Sequence, residues 1–86
     1  MIAEWADRVI PCRTSQSSAI KLLEEVSELI ASERMADPQE LADVAILVLD
    51  MFNLEGIDMA EAVRSKMRIN DGRHWIVADN GTARHV

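Results

Sequence analysis

The chain has 86 residues, 49% of them apolar, and a formal net charge of −6 from 15 acidic and 9 basic residues. That is one domain, and its acidity disfavours a free-standing nucleic-acid binder, which neutralises phosphates with Lys and Arg. One cysteine, Cys12, excludes an internal disulfide, and three Gly with two Pro are too few for the tight turns of an all-β protein. So short a chain buries only about 60% of the surface it exposes when unfolded, which leaves room for a partner subunit. The start MIAEWADRVI lacks the basic n-region of a signal peptide. The longest apolar run, Val44 to Leu49, is far short of the roughly 20 residues that span a bilayer. The expectation is a soluble cytoplasmic protein.

The first predicted element is a short amphipathic helix over residues 2–9, with Ile2, Trp5 and Val9 on one side and Pro11 as its stop. A second helix follows over about 16–34, with Thr14 or Ser15 as its cap. Its apolar stripe is Ala19, Leu22, Leu23, Val26, Leu29 and Ile30. Asp37, Pro38 and Glu40 then read as N-cap, first position and N3 of a third helix over about 38–54. That helix is apolar on nearly every side from Leu41 to Leu54, which predicts burial all round. A chain of this size has too little other protein to cover it, so one face is expected to meet another subunit. Gly56 ends it. Asp58 and Glu61 begin a fourth helix that stops near Gly72. The fold class is therefore all-α, a bundle of about four helices completed by dimerisation, occupying residues 1–75. Residues 76–86 form a short tail, in which Asn80-Gly81 suits a two-residue hairpin turn if the tail is ordered.

Between Glu24 and Glu61 the chain carries eleven acids and one base, Arg34. Acid pairs three apart recur by chance in such a segment, and Asp37/Glu40 and Asp58/Glu61 read as capping boxes. Context singles out others. Asp43 and Asp50 are the charged residues inside the apolar third helix, two turns apart, on a face with Glu40 and Leu47. An ionised carboxylate there costs several kcal/mol unless it is paired or bound to metal. Lys21, Glu25 and Glu28 make a matching stripe on the second helix. If the two helices pack antiparallel, Glu25, Glu28, Glu40 and Asp43 share a cleft. Something cationic must then hold them: Mg²⁺ or Mn²⁺ by the hardness of the ligands, or the basic residues of the fourth helix.

Those bases include Lys66 and Arg73, which lie at i and i+7 on one face with Asn70 at i+4. Carboxylate-bound metal beside Lys, Asn and Arg suits a polyphosphate; the same charges also suit a solvated helix end.

Taken together, Lys21-Leu22-Leu23-Glu24-Glu25-Val26-Ser27-Glu28-Leu29, then Glu40-Leu41-Ala42-Asp43, then Lys66 with Asn70, Arg73 and Trp75, resemble the MazG-like all-α nucleoside triphosphate pyrophosphohydrolases. The resemblance spans about residues 18–75. It implies a helical bundle acting as a dimer or dimer of dimers. It implies Mg²⁺-dependent cleavage of a (deoxy)nucleoside triphosphate between the α and β phosphates, with Mn²⁺ as a substitute. Carried over, Glu25, Glu28, Glu40 and Asp43 are metal ligands, and Glu25 or Glu28 takes the proton of the attacking water. Lys21, Lys66, Asn70 and Arg73 contact phosphates or sugar, and Asp50 makes a further metal or substrate contact. The setting implied is a bacterial cytosol or that of a phage-infected host. Trp5 and Trp75 are read as packing residues rather than base-stacking ones. The competing reading is a non-catalytic acidic interaction module, antitoxin- or inhibitor-like, whose acids would be solvent-exposed and indifferent to divalent cations.

Overall fold

A computed structural model describes residues 1–32 and 37–86. Four helices follow one another: α1 (Ile2–Val9), α2 (Ser15–Ala31), α3 (Pro38–Glu55) and α4 (Met59–Asp71). A hairpin of β1 (Trp75–Val77) and β2 (Ala83–His85) closes the chain. The helix bounds follow local chemistry. The Thr14 hydroxyl accepts from the Ser17 amide and the Ser17 hydroxyl accepts from the Thr14 amide, a reciprocal cap that starts α2. Gly56, at φ +66°, ends α3 in the left-handed conformation, and the Ile57 amide reaches back to the Phe52 carbonyl at 3.0 Å. Any other residue at Gly56 would be strained there.

Two expected capping boxes are only half made. Asp37 accepts from the Gln39 amide rather than from N3, which frees the Glu40 side chain for other work. Asp58 does cap the Glu61 amide, at 3.1 Å. Glu61 does not return the bond: its carboxylate takes Arg64 and Arg68 instead. α2 stops at Ala31, with Ser32 extended as its C-cap, short of the predicted residue 34; residues 33–34, like the Met35-Ala36 part of the following turn, lie outside the described residues.

Helices α2 and α3 form the body of the molecule, packed along one another, with α1 laid against α3. The Ser15 hydroxyl donates to the Glu55 carboxylate, pinning the start of α2 to the end of α3 and fixing their antiparallel sense. α4 packs closely on none of the other helices. The radius of gyration is accordingly 15.4 Å, against about 12 Å for a compact domain of this length.

The core is correspondingly thin. Ala6 is the one buried apolar residue among the described residues, and Leu41, Ile46 and Leu54 of α3 are 48%, 37% and 37% exposed. The all-round burial expected of α3 is thus not met within one chain.

The tail is an ordered hairpin, with Trp75 facing His85 and Val77 facing Ala83. Its turn differs from the two-residue form expected. The Ala78 amide bonds the Thr82 carbonyl at 2.7 Å, and the Gly81 amide bonds Ala78 at 3.0 Å. Three residues therefore turn the chain, with Gly81 at φ +87° supplying the left-handed position such a loop needs. The Trp75 indole packs edge-on to His85 and donates to the Asn70 carbonyl, tying the hairpin to α4. No helix of the described residues is long and apolar enough to cross a membrane.

Candidate active site

The antiparallel register of α2 and α3 brings three of the expected acids together. Carboxylate oxygens of Glu25, Glu40 and Asp43 all lie within 4.8 Å of one another. Glu40 and Asp43 are one turn apart on α3, so they project from the same face, and Glu25 meets them from α2. Glu25 and Glu40 are half-buried. The Glu25 side chain keeps only 13% of its surface exposed. Such partial burial raises the Glu40 carboxyl above the usual Glu range, and the charges of Asp43, Glu25, Asp37 and Glu28 push it the same way.

Glu28 falls outside the trio, exposed on the next turn of α2, yet its charge acts on Glu40. Lys21 stands on the other side. Its ammonium lies 3.2 Å from Glu24 and 3.5 Å from Glu25, and these carboxylates raise its pKa, Glu24 most.

The α4 bases do not neutralise this cluster. Arg64 and Arg68 pair with Glu61 on their own helix, and no ion pair joins α4 to the trio among the described residues. Lys66 is exposed and Arg73 is half-buried. The Asn70 side-chain oxygen is buried without a hydrogen-bond partner. The alternative of an ion-pair network between the acids and the fourth helix is therefore not what one chain forms.

Asp50 has a different partner from the one expected. It is 5% exposed and turned to Arg13, whose Nε and Nη2 donate to its two oxygens at 2.5 and 2.9 Å. The other Arg13 terminal nitrogen donates to Asp7 at 2.9 Å. This pairing holds the Arg13 guanidinium firmly in its charged form, the Asp50 bond being the largest cause. Sequence reading passed over Arg13. The available signal was an acid in an apolar helix needing a cation, with Arg13 the one base between the first and second helices.

Three clustered carboxylates against one ammonium, that of Lys21 beside Glu25, leave an excess of negative charge that fits a hard divalent ion. With that geometry in view, comparison with known proteins is decisive. All of residues 1–86 match the family model described as dATP/dGTP pyrophosphohydrolase. The chain belongs to that family. It is an enzyme of the nucleotide pyrophosphohydrolase class, which sets aside the non-catalytic interaction module. It is 51% identical over 85 residues to the dATP/dGTP diphosphohydrolase of Cyanophage S-2L, covering 99% of this chain and 81% of that protein. A second relative, the dATP/dGTP diphosphohydrolase of Salmonella phage PMBT28, is 46% identical over 86 residues; the match takes in all of this chain but 29% of that protein. Among solved structures, the Cyanophage S-2L MazG-like pyrophosphohydrolase bound to dGDP and three catalytic Mn²⁺ ions per active site superposes with a TM-score of 0.89. Identity there is 50%, over 99% of this chain and 85% of that one. The resemblance to MazG-like enzymes thus holds, and the four-helix architecture is theirs.

Proposed function

We propose that the protein hydrolyses deoxypurine nucleoside triphosphates between the α and β phosphates, releasing the monophosphate and pyrophosphate, with Mg²⁺ or Mn²⁺ bound by Glu25, Glu28, Glu40 and Asp43. The observation that carries this reading is the trio of Glu25, Glu40 and Asp43 within 4.8 Å, with Glu25 and Glu40 half-buried and more negative charge than Lys21 beside Glu25 offsets. The names of the S-2L and PMBT28 relatives support the substrate, and the Mn²⁺ of the S-2L structure supports the metal. Divalent ions bound there supply charge for the phosphate oxygens and acidify a water.

The chain's own groups do the rest. Glu25, Glu40 and Asp43 supply the oxygen ligands, and Glu28 completes the set from the next turn. Glu28 is also placed to take the proton of the attacking water, being exposed and beside the cluster. Lys21 leaves Glu24 and Glu25 to bind the α phosphate. Lys66, Asn70 and Arg73 hold the outer phosphates or sugar from α4 of a second copy. Two features favour a second copy: α4 packs closely on neither α2 nor α3, and α3 leaves apolar side chains uncovered. An apolar groove of about 330 Å³, walled by Leu22, Val48, Met51 and Phe52, offers it a seat. The reaction belongs in the cytosol, where nucleotides and Mg²⁺ are at hand.

The test is product analysis. Purified protein with Mg²⁺ and dATP or dGTP should yield monophosphate and pyrophosphate, and Asp43→Asn should not. Orthophosphate as the first product would overturn the cleavage site.

A further inference from the structure

We infer that Trp75 is a positioning residue for the reaction: from the first strand of the C-terminal hairpin its indole closes the last turn of α4 and so sets the Asn70 side chain for the substrate. The inference rests on the proposed triphosphate hydrolysis, in which Asn70 is a ligand contact, and adds to it a residue that acts through another.

The end of a helix is its least secure part. Its last four carbonyls have no amide one turn further on, and the turn frays unless other donors reach them. α4 ends at Asp71, so Asn70 belongs to that turn. Packing does not hold it there: α4 packs closely on none of the other helices, and none of its residues is fully buried among the described residues. The chain beyond the helix supplies the hold. The Arg73 amide donates to the Asn70 carbonyl at 3.2 Å, and the Trp75 indole Nε1 donates to the same oxygen at 2.9 Å. Residues 72–75 are thus folded round one carbonyl.

The Asn70 side chain shows what that hold does. Its oxygen is buried and has no hydrogen-bond partner. A buried acceptor without a donor is unfavourable, and it persists where the surroundings fix it. A frayed helix end would turn this oxygen out to water. A clamped end keeps the amide in one place, as a pre-organised ligand contact requires.

The bland alternative is that Trp75 serves only to be buried. It is 43% exposed, and β1 is exposed along its whole length. What it gives α4 is therefore chiefly its N–H. The aim of that N–H is set by β2. Trp75 lies opposite His85 in the register, with the rings 5.9 Å apart at 80°, and the Val86 amide bonds the His74 carbonyl at 2.9 Å. Three residues, 72–74, separate α4 from β1, so the arm that carries the indole is short. The hairpin is then a brace for the α4 end of the site.

The test is Trp75→Phe, which keeps an aromatic ring against His85 and removes the indole N–H. Amide hydrogen exchange at Gly72 and Arg73, whose N–H groups close the last turn, should quicken about fivefold or more, with α2 and α3 unchanged. With Mn²⁺, KM for dATP should rise about fivefold with kcat within about twofold. Mn²⁺ affinity by calorimetry should not move, because the acids lie on α2 and α3. A role in folding alone would cause losses that do not depend on Asn70. In an Asn70→Ala background, however, Trp75→Phe should change KM by less than about 1.5-fold, since the group it positions is gone. An active wild type with KM unmoved in Trp75→Phe would overturn the positioning role. The full loss persisting in the Asn70→Ala background would do the same, as would unchanged exchange at Gly72 and Arg73. A wild type that turns over neither dATP nor dGTP would overturn the hydrolase reading and the positioning role with it.

Discussion

Arg13 grips Asp50 across 37 residues of sequence through two near-parallel hydrogen bonds, at 2.5 and 2.9 Å, with only 6% of either side chain exposed. The pair fastens the loop before α2 to α3. Removing one member strands a buried charge, whereas removing both need not. Asp50→Ala should therefore lower Tm by on the order of 10 °C. The double variant Arg13→Met, Asp50→Leu should recover most of that loss. Thermal melts of the three proteins decide it: equal losses in the single and double variants would mean that the pair is a net source of stability rather than a fixed anchor.

The acidic trio makes the opposite prediction. Glu25, Glu40 and Asp43 repel one another in the metal-free protein. Asp43→Asn should thus raise Tm in EDTA while cutting turnover by two or more orders of magnitude. A variant that melts lower and works normally would remove Asp43 from the site.

Divalent ions should stabilise what EDTA leaves strained. Binding to the folded state alone adds about 2.7 kcal/mol at a hundred times Kd, or on the order of 10 °C in Tm for a domain of this size. Mg²⁺ titration followed by calorimetry should show that rise in the wild type and lose most of it in Glu25→Gln. A Tm that ignores Mg²⁺ and Mn²⁺ alike would argue against a metal site.

Much of this was legible in the sequence, and the failures have physical causes. The four helices, the Thr14 and Gly56 caps and the shared face of Glu40 and Asp43 follow from 3.6-residue periodicity and cap chemistry, which are local, and the meeting with Glu25 follows once α2 and α3 pack antiparallel. Periodicity says which face a residue occupies but not which partner meets it. Asp50 shares the face of Glu40 and Asp43, yet a long arginine from an unpatterned loop reaches it first. The Asp37/Glu40 pair has the spacing of a capping box, but Asp37 takes the Gln39 amide and the Glu40 carboxylate lies with Glu25 and Asp43. The three-residue hairpin turn escaped because Asn80-Gly81 fits both loop lengths, and strand register decides between them.

The raised Glu40 carboxyl gives a pH dependence with a defined sign. The folded state holds this proton more tightly than the unfolded chain, chiefly through burial and then through its acidic neighbours. Its contribution to stability is thus full below the ordinary value of 4.5 and is lost as pH rises through the higher folded value. Glu40→Gln lacks that loss. In EDTA the Tm of Glu40→Gln minus that of the wild type should widen from about pH 4.5 upward and level off once Glu40 is fully ionised. A gap that is constant across the range would mean that Glu40 titrates as an ordinary surface acid.

Subunit sharing is tested by complementation. If Lys66 and Arg73 serve the acids of a second copy, Asp43→Asn and Lys66→Ala each inactivate a homodimer by a different route. Half of the dimers in an equal mixture are mixed, and each mixed dimer holds one site with an intact acid cluster facing an intact α4. Mixing the two inactive proteins, with brief exposure to mild denaturant to exchange subunits, should restore about a quarter of wild-type turnover. Lys66 acting on the acids of its own chain predicts a different result: each of the two sites of a mixed dimer then carries one lesion, and the mixture stays inactive. Recovery or its absence therefore assigns the α4 bases to one chain or the other.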